Sequence, residues 1–121
     1  MYIHMANKYL TSTGEKVTEA TIQQRLRDAY REYYLFEPVA MCEGCETERS
    51  SCTAHIVPKA RLKQIRKTDY IWKPFVWFRS CYKCNMIAEN PSSEEIKNLK
   101  NYDRIVEVTR IVDPERYQKF I

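Results

Sequence analysis

The chain has 121 residues, 44% of them apolar and 30% charged, with a net charge of +4, two glycines and five prolines. That length fits one globular domain, and so little glycine and proline excludes low-complexity sequence and long flexible linkers. No apolar run approaches the roughly 20 residues that a membrane-spanning helix needs.

The N-terminal MYIHMANKYL lacks a charged leader ahead of an apolar run, so no signal peptide is expected. Five cysteines, an odd number, argue against a disulfide framework and for a reducing, cytoplasmic compartment. A domain of this size buries only about two-thirds of its unfolded surface, so a structural metal would help it.

In chain order, KYLTSTGEKV (8–17) reads as two short strands around a Thr-Gly turn. A helix is expected over about 19–35, stopped before Pro38, with Thr21 and Gln24 resembling a capping box. Ile22, Leu26, Ala29, Tyr30 and Tyr33 share one face at helical spacing and read as packing residues. TAHIV, ended by Pro58, suggests a strand; KARLKQIRK a basic helical turn; PFVWF a second strand leading into Cys81. Trp72, Trp77 and Phe78 read as core, with base stacking open to whichever is exposed.

Ser92 and Glu95 form a capping box for SEEIKNLKNY. DRIVEVTRIV fits a strand by its β-branched residues and a helix by its spacing. Asp113-Pro114 reads as the N-cap and first residue of a last helix, ERYQKFI. His4 is assigned to a mobile terminus.

Charge is unevenly placed. Residues 56–83 hold eight Lys or Arg against Asp69 alone, a local balance of +7 that leaves −3 for the remainder. Such a potential favours a phosphate-bearing partner, although a basic run can also be a solvated face. Lys59, Arg61, Lys63, Arg66, Lys67, Arg79 and Lys83 are the candidate nucleic-acid contacts.

Cys42-x-x-Cys45 and Cys81-x-x-Cys84 lie 35 residues apart. Each turn sets two thiolates on one side of a tight loop, and Gly44 helps by tolerating positive φ. Two such turns complete a tetrahedral S₄ site for Zn²⁺, with sulfurs about 2.3 Å from the ion. Such a site leaves no open coordination position, so the zinc is structural. Cys52 is left over and reads as a free, partly buried thiol. His55 is open to three readings: base, metal ligand or buried polar ring.

CEGC, AHIVPK and CYKCN, in that order, resemble the HNH, or ββα-metal, endonucleases, in the subgroup stapled by a zinc-bound pair of Cys-x-x-Cys knuckles. KTDYIW and YLTSTGEKVTEATI also resemble small phage or prophage proteins of that kind. The resemblance covers about residues 40–90, and more loosely the N-terminal arm. It implies an α+β fold: a small zinc-stapled ββα-metal, treble-clef-like core over 38–91, with an N-terminal hairpin and helix arm (1–37) and a C-terminal helical extension (92–121), in one domain. It implies His55 as general base, Asn85 as ligand to a catalytic Mg²⁺ or Mn²⁺, and Glu89, four residues on, as a direct or outer ligand. For a phage-encoded protein the compartment would be the host-cell cytoplasm.

Two positions depart from the family. Many relatives carry Asp before the histidine, where this chain has Ala54, and a middle Asn that fastens the histidine loop, where it has Val76 or a near neighbour.

The first functional expectation is a metal-dependent nuclease on nucleic acid, DNA ahead of RNA. The second is a binding protein on a disabled nuclease scaffold, gripping nucleic acid or a nuclease or other host-defence protein, as anti-CRISPR inhibitors do. The third is a zinc-ribbon interaction module without a nucleic-acid role, against which the basic segment speaks. Monomer and homodimer are both open, the tyrosine-rich helix offering a dimer face.

Overall fold

The computed structural model describes residues 7–35, 37 and 39–121; His4 and Pro38 lie outside them. Strands β1 (Lys8–Leu10) and β2 (Lys16–Thr18) pair antiparallel with Tyr9 opposite Val17. Gly14 closes their turn at φ +88°, a conformation that glycine adopts without a Cβ clash. Helix α1 (Glu19–Tyr33) follows at once. Its cap is Thr18, whose hydroxyl accepts the Thr21 N–H, and not the expected Thr21. Strand β2 runs directly into the helix, so the capping position falls on its last residue. Ile22 and Leu26 of α1 are buried, and Ala29, Tyr30 and Tyr33 pack against the core.

The centre is the antiparallel pair β3 (Cys52–His55) and β4 (Trp77–Ser80), with Ala54 opposite Phe78 and His55 opposite Trp77. All four β4 residues are buried, so β4 is the central strand in packing terms. Between the strands lie α2 (Lys59–Gln64) and two 3₁₀ turns, Thr68–Trp72 and Pro74–Val76. Helix α3 (Tyr82–Ala88) starts immediately after Cys81 and packs on both strands.

The capping serine of the next segment is Ser93 rather than Ser92, and the element it starts is a 3₁₀ turn, Glu94–Asn98. The ambiguous DRIVEVTRIV segment is helical: α4 (Tyr102–Val112) buries Ile105, Val108, Thr109 and Val112, the i, i+3, i+4, i+7 face. Asp113 caps α5 (Pro114–Tyr117) through the Arg116 N–H, with Pro114 first in the helix, as expected.

The fold is therefore α+β, with two small sheets and five α-helices among the described residues. No described helix is long and apolar enough to cross a membrane. One hydrophobic cluster runs from Val17 and Ile22 through Trp77 and Phe78 to Ile105 and Val112. Both ends of the chain are tied to the middle segment by polar contacts. The Ser12 N–H and hydroxyl both donate to the Asp69 carboxylate at 2.7 Å, Lys63 pairs with Glu19 at 2.7 Å, and Arg61 pairs with Asp113 at 2.7 Å.

Candidate metal centre and the adjoining His55 pocket

The first knuckle is a narrow hairpin, with Met41 bridged to Arg49 and the Cys42 N–H donating to the Glu48 carbonyl at 2.7 Å. The second is the start of α3, where Cys81 takes the N-cap position. The Glu43 N–H donates to the Arg79 carbonyl at 2.8 Å, and the Glu43 carboxylate accepts the Arg79 N–H at 2.5 Å. These two bonds clasp the hairpin to β4 just ahead of Cys81.

The Sγ atoms of Cys42, Cys45, Cys81 and Cys84 all lie within 4.8 Å of one another, and Cys45 and Cys81 are 4.0 Å apart. A ZnS₄ tetrahedron with bonds of about 2.3 Å has edges of about 3.8 Å. The donor set thus fits a metal ion such as zinc. Backbone N–H groups already point at sulfur, Gly44 to Cys42 at 3.3 Å and Cys84 to Cys81 at 3.5 Å. Burial pushes the Cys84 thiol well up, while hydrogen bonds from the Thr47 hydroxyl and nearby backbone hold Cys45 at about 6. A thiol as buried as Cys84 ionises readily only beside a cation. Cys52 stands apart, partly buried, its thiol on the Ser80 carbonyl at 3.4 Å.

The reason for glycine at position 44 differs from the expectation. Positive φ falls on Glu46, at 60°, and not on Gly44. A Cβ at Gly44 would meet the Cys84 Cβ at 2.9 Å and Sγ at 3.1 Å. Glycine is there because the two knuckles touch.

Beside this centre, His55, Asn85 and Glu89 line a single pocket of about 520 Å³ with Thr53, Pro58 and Lys59. β3 carries His55 and Thr53 on alternate positions, so both face one side. Asn85 and Glu89 are four apart at the end of α3, one helical turn. Lys59 opens α2.

His55 is half-buried, and its Nε2 lies 2.8 Å from the Ile71 carbonyl. A carbonyl only accepts, so Nε2 carries the proton and Nδ1 keeps its lone pair. Burial lowers the ring's pKa to about 4, and the Lys59 ammonium adds to the effect. The neutral ring is thus the form present near pH 7.

The basic segment is largely occupied within the fold. Arg61 forks onto Asp113, Lys63 pairs with Glu19, Lys73 with Asp69, and the Lys67 ammonium donates to the Val112 carbonyl at 2.5 Å. Arg79 is buried, its guanidinium 4.9 and 4.6 Å over the Tyr33 and Tyr34 rings. Lys59, Arg66 and Lys83 are exposed and have no ion-pair partner among the described residues. Arg61 and Lys63 meet acids from distant parts of the chain, Asp113, Glu115 and Glu19, which residues 56–83 alone could not reveal.

Three contributors escaped the sequence reading: the Ile71 carbonyl, the Trp77 indole N–H that shares it at 2.9 Å, and the α1 tyrosines behind Trp77. No residue-type signal marks a backbone carbonyl, and a tryptophan in a strand reads as core.

No family model, no curated protein and no solved structure matches the chain.

Proposed function

We propose that the chain is a zinc-stapled, metal-dependent endonuclease of the HNH type, hydrolysing phosphodiester bonds of nucleic acid, DNA ahead of RNA. On this reading the knuckles, the β3–β4 pair and α3 form a treble-clef-like ββα-metal core. The observation that carries it is the shared pocket of His55, Asn85, Glu89 and Lys59, with the imidazole held on the Ile71 carbonyl.

A neutral histidine with one nitrogen fixed is arranged as a proton acceptor. His55 Nδ1 takes a proton from water, the water oxygen bonds to phosphorus, and the bond from phosphorus to the leaving oxygen breaks. That oxygen is protonated from solvent. Lys59 offers a positive charge to the phosphate. The Asn85 amide oxygen and Glu89 carboxylate are the oxygen donors that would hold Mg²⁺ or Mn²⁺, whose chemistry is to neutralise charge developing on the phosphate.

The departure at Val76 has a counterpart here. The loop that would be fastened by an Asn side chain is instead held by the Ile56 N–H on the Val76 carbonyl at 2.8 Å and by Trp77 on the Ile71 carbonyl.

The test is plasmid and RNA cleavage in Mg²⁺ or Mn²⁺, with and without chelator, beside His55→Ala and Asn85→Ala. Metal-dependent nicking by the wild type, abolished in His55→Ala, is expected. The buried Ala54, which supplies no ligand oxygen, favours a second reading: a binding protein on a disabled nuclease scaffold, directed at nucleic acid or a defence nuclease. Salt-sensitive binding without cleavage by the wild type would replace the first reading with the second.

A further inference from the structure

A second, smaller cavity of about 190 Å³ lies between α2 and the C-terminal helical segment, lined by Arg61, Gln64, Glu115, Arg116 and Lys119. Three cations face one carboxylate, and Glu115 is 87% exposed and only 3.4 Å from Arg61. With the buried Asp113 included, the balance is still +1. The cations play different parts. Arg61 uses four of its five N–H groups: Nε and one terminal nitrogen grip Asp113, the same terminal nitrogen reaches Glu115 at 3.4 Å, and the other donates to Gln64 at 3.0 Å. It supplies charge and a rigid wall. Lys119 is exposed and free to turn.

Arg116 is the unusual member. Its Nε is buried without a hydrogen-bond partner among the described residues. Burial pushes its pKa down, the Asp113 carboxylate opposes that, and the nearby Arg61 adds to the downward shift. An N–H donor kept from water without an acceptor costs stability. Arg116 also donates from its terminal nitrogen to the Glu89 carbonyl at 3.2 Å. Glu89 lines the His55 pocket. The same guanidinium thus stands between the two cavities, and α2 runs past both, with Lys59 at one and Arg61 at the other.

We propose that this cavity is a phosphate-binding subsite that receives a backbone phosphodiester of the nucleic-acid strand whose neighbouring phosphate occupies the His55 pocket. The inference rests on the nucleic-acid reading above but not on cleavage. Arg116 and Lys119 are the phosphate donors, and Asp113, which grips Arg61 and accepts the Arg116 backbone N–H, ties the two sides of the cavity together. Contacts of this kind carry no sequence information, so the subsite fixes where the strand lies and not which bases it holds.

The test is fluorescence anisotropy with the full chain, zinc-loaded, on labelled single-stranded and duplex DNA in the absence of Mg²⁺ and Mn²⁺, over a salt series. Lys119→Gln and Arg116→Gln are compared with wild type and with Lys97→Gln, an exposed lysine paired with Glu94. Each cavity variant is expected to weaken binding about three- to tenfold on every sequence and to reduce the slope of log K against log salt by about 1. Lys97→Gln is expected to change neither. Since no cleavage is read, failure of the nuclease mechanism leaves this outcome intact.

Unchanged slopes in both variants would overturn the subsite, as would a wild type that binds no nucleic acid. A parallel titration with inorganic phosphate separates a small-anion site: saturable phosphate binding lost in Arg116→Gln, with unchanged oligonucleotide slopes, would overturn the strand assignment. Should Arg116→Gln fail to fold, the exposed Lys119→Gln alone decides the matter.

Discussion

His55 and Trp77 donate to the same oxygen, the carbonyl of Ile71, at 2.8 and 2.9 Å. The two residues face each other across the β3–β4 pair, and Trp77 is itself braced by Tyr30 and Tyr33 of α1 at ring distances of 4.7 and 5.3 Å. The orientation of one imidazole thus depends on a helix more than 20 residues upstream in sequence. The N-terminal arm is part of the site's support, and its tyrosines are spent inside the fold.

Trp77→Phe removes one of the two donors and part of a fully buried ring. A loss of about 2–3 kcal/mol in urea denaturation is expected, with zinc content unchanged. The His55 Nε2 proton should exchange faster with water in NMR spectra. An unaltered exchange rate would mean that Trp77 does not help to hold the ring.

The depressed pKa of His55 makes a pH prediction with a definite sign. The unfolded ring titrates at about 6.5 and the folded ring at about 4. Between these values the unfolded chain binds the extra proton, so stability falls as pH falls from 6.5 toward 4. The full contribution is at most about 3–4 kcal/mol. Denaturation at a series of pH values with saturating zinc should show the slope in wild type and its loss in His55→Gln.

Metal analysis should find one zinc per chain. Chelation, or Cys84→Ser, should abolish cooperative unfolding or lower stability by at least about 3 kcal/mol, because binding free energy here is folding free energy. A chelated protein with an unchanged melting temperature would argue against a structural ion.

Gly44→Ala drives a methyl group into Cys84, with 2.9 Å to its Cβ. The expected cost is about 1–3 kcal/mol, with a zinc affinity about tenfold lower in chelator competition. An effect of strained backbone alone would leave zinc affinity intact.

Asp113 is buried, grips Arg61 with both oxygens and caps α5. Burial raises its pKa, but Arg61 and the Arg116 N–H outweigh that and the net shift is downward. Its contribution is therefore present above about pH 4 and lost as pH falls through the folded value. Asp113→Ala should cost about 2–3 kcal/mol by urea denaturation, since it removes the α5 cap and the charged partner of Arg61.

Local chemistry was readable from the chain. The two Cys-x-x-Cys turns announce themselves because ligand spacing within a knuckle is a short-range property. Asp113-Pro114 is legible for the same reason, being a cap and the residue after it. Caps shifted by three residues at Thr18 and by one at Ser93 because several neighbouring hydroxyls could serve, and packing chose among them. The DRIVEVTRIV segment was ambiguous because its apolar residues satisfy both periods, and burial of one helical face decided it.

The sequence by itself determined the α+β class, the four thiols and the order in which His55, Asn85 and Glu89 follow along the chain. Tertiary structure alone decided what those groups meet. It brought the two knuckles close enough to require Gly44, placed the Ile71 carbonyl behind His55, and matched Lys63 with Glu19 and Arg61 with Asp113. Pattern and spacing act over one or two turns of backbone. A charge or a lone pair is settled by whichever partner the folded core delivers, and that partner has no fixed distance in sequence.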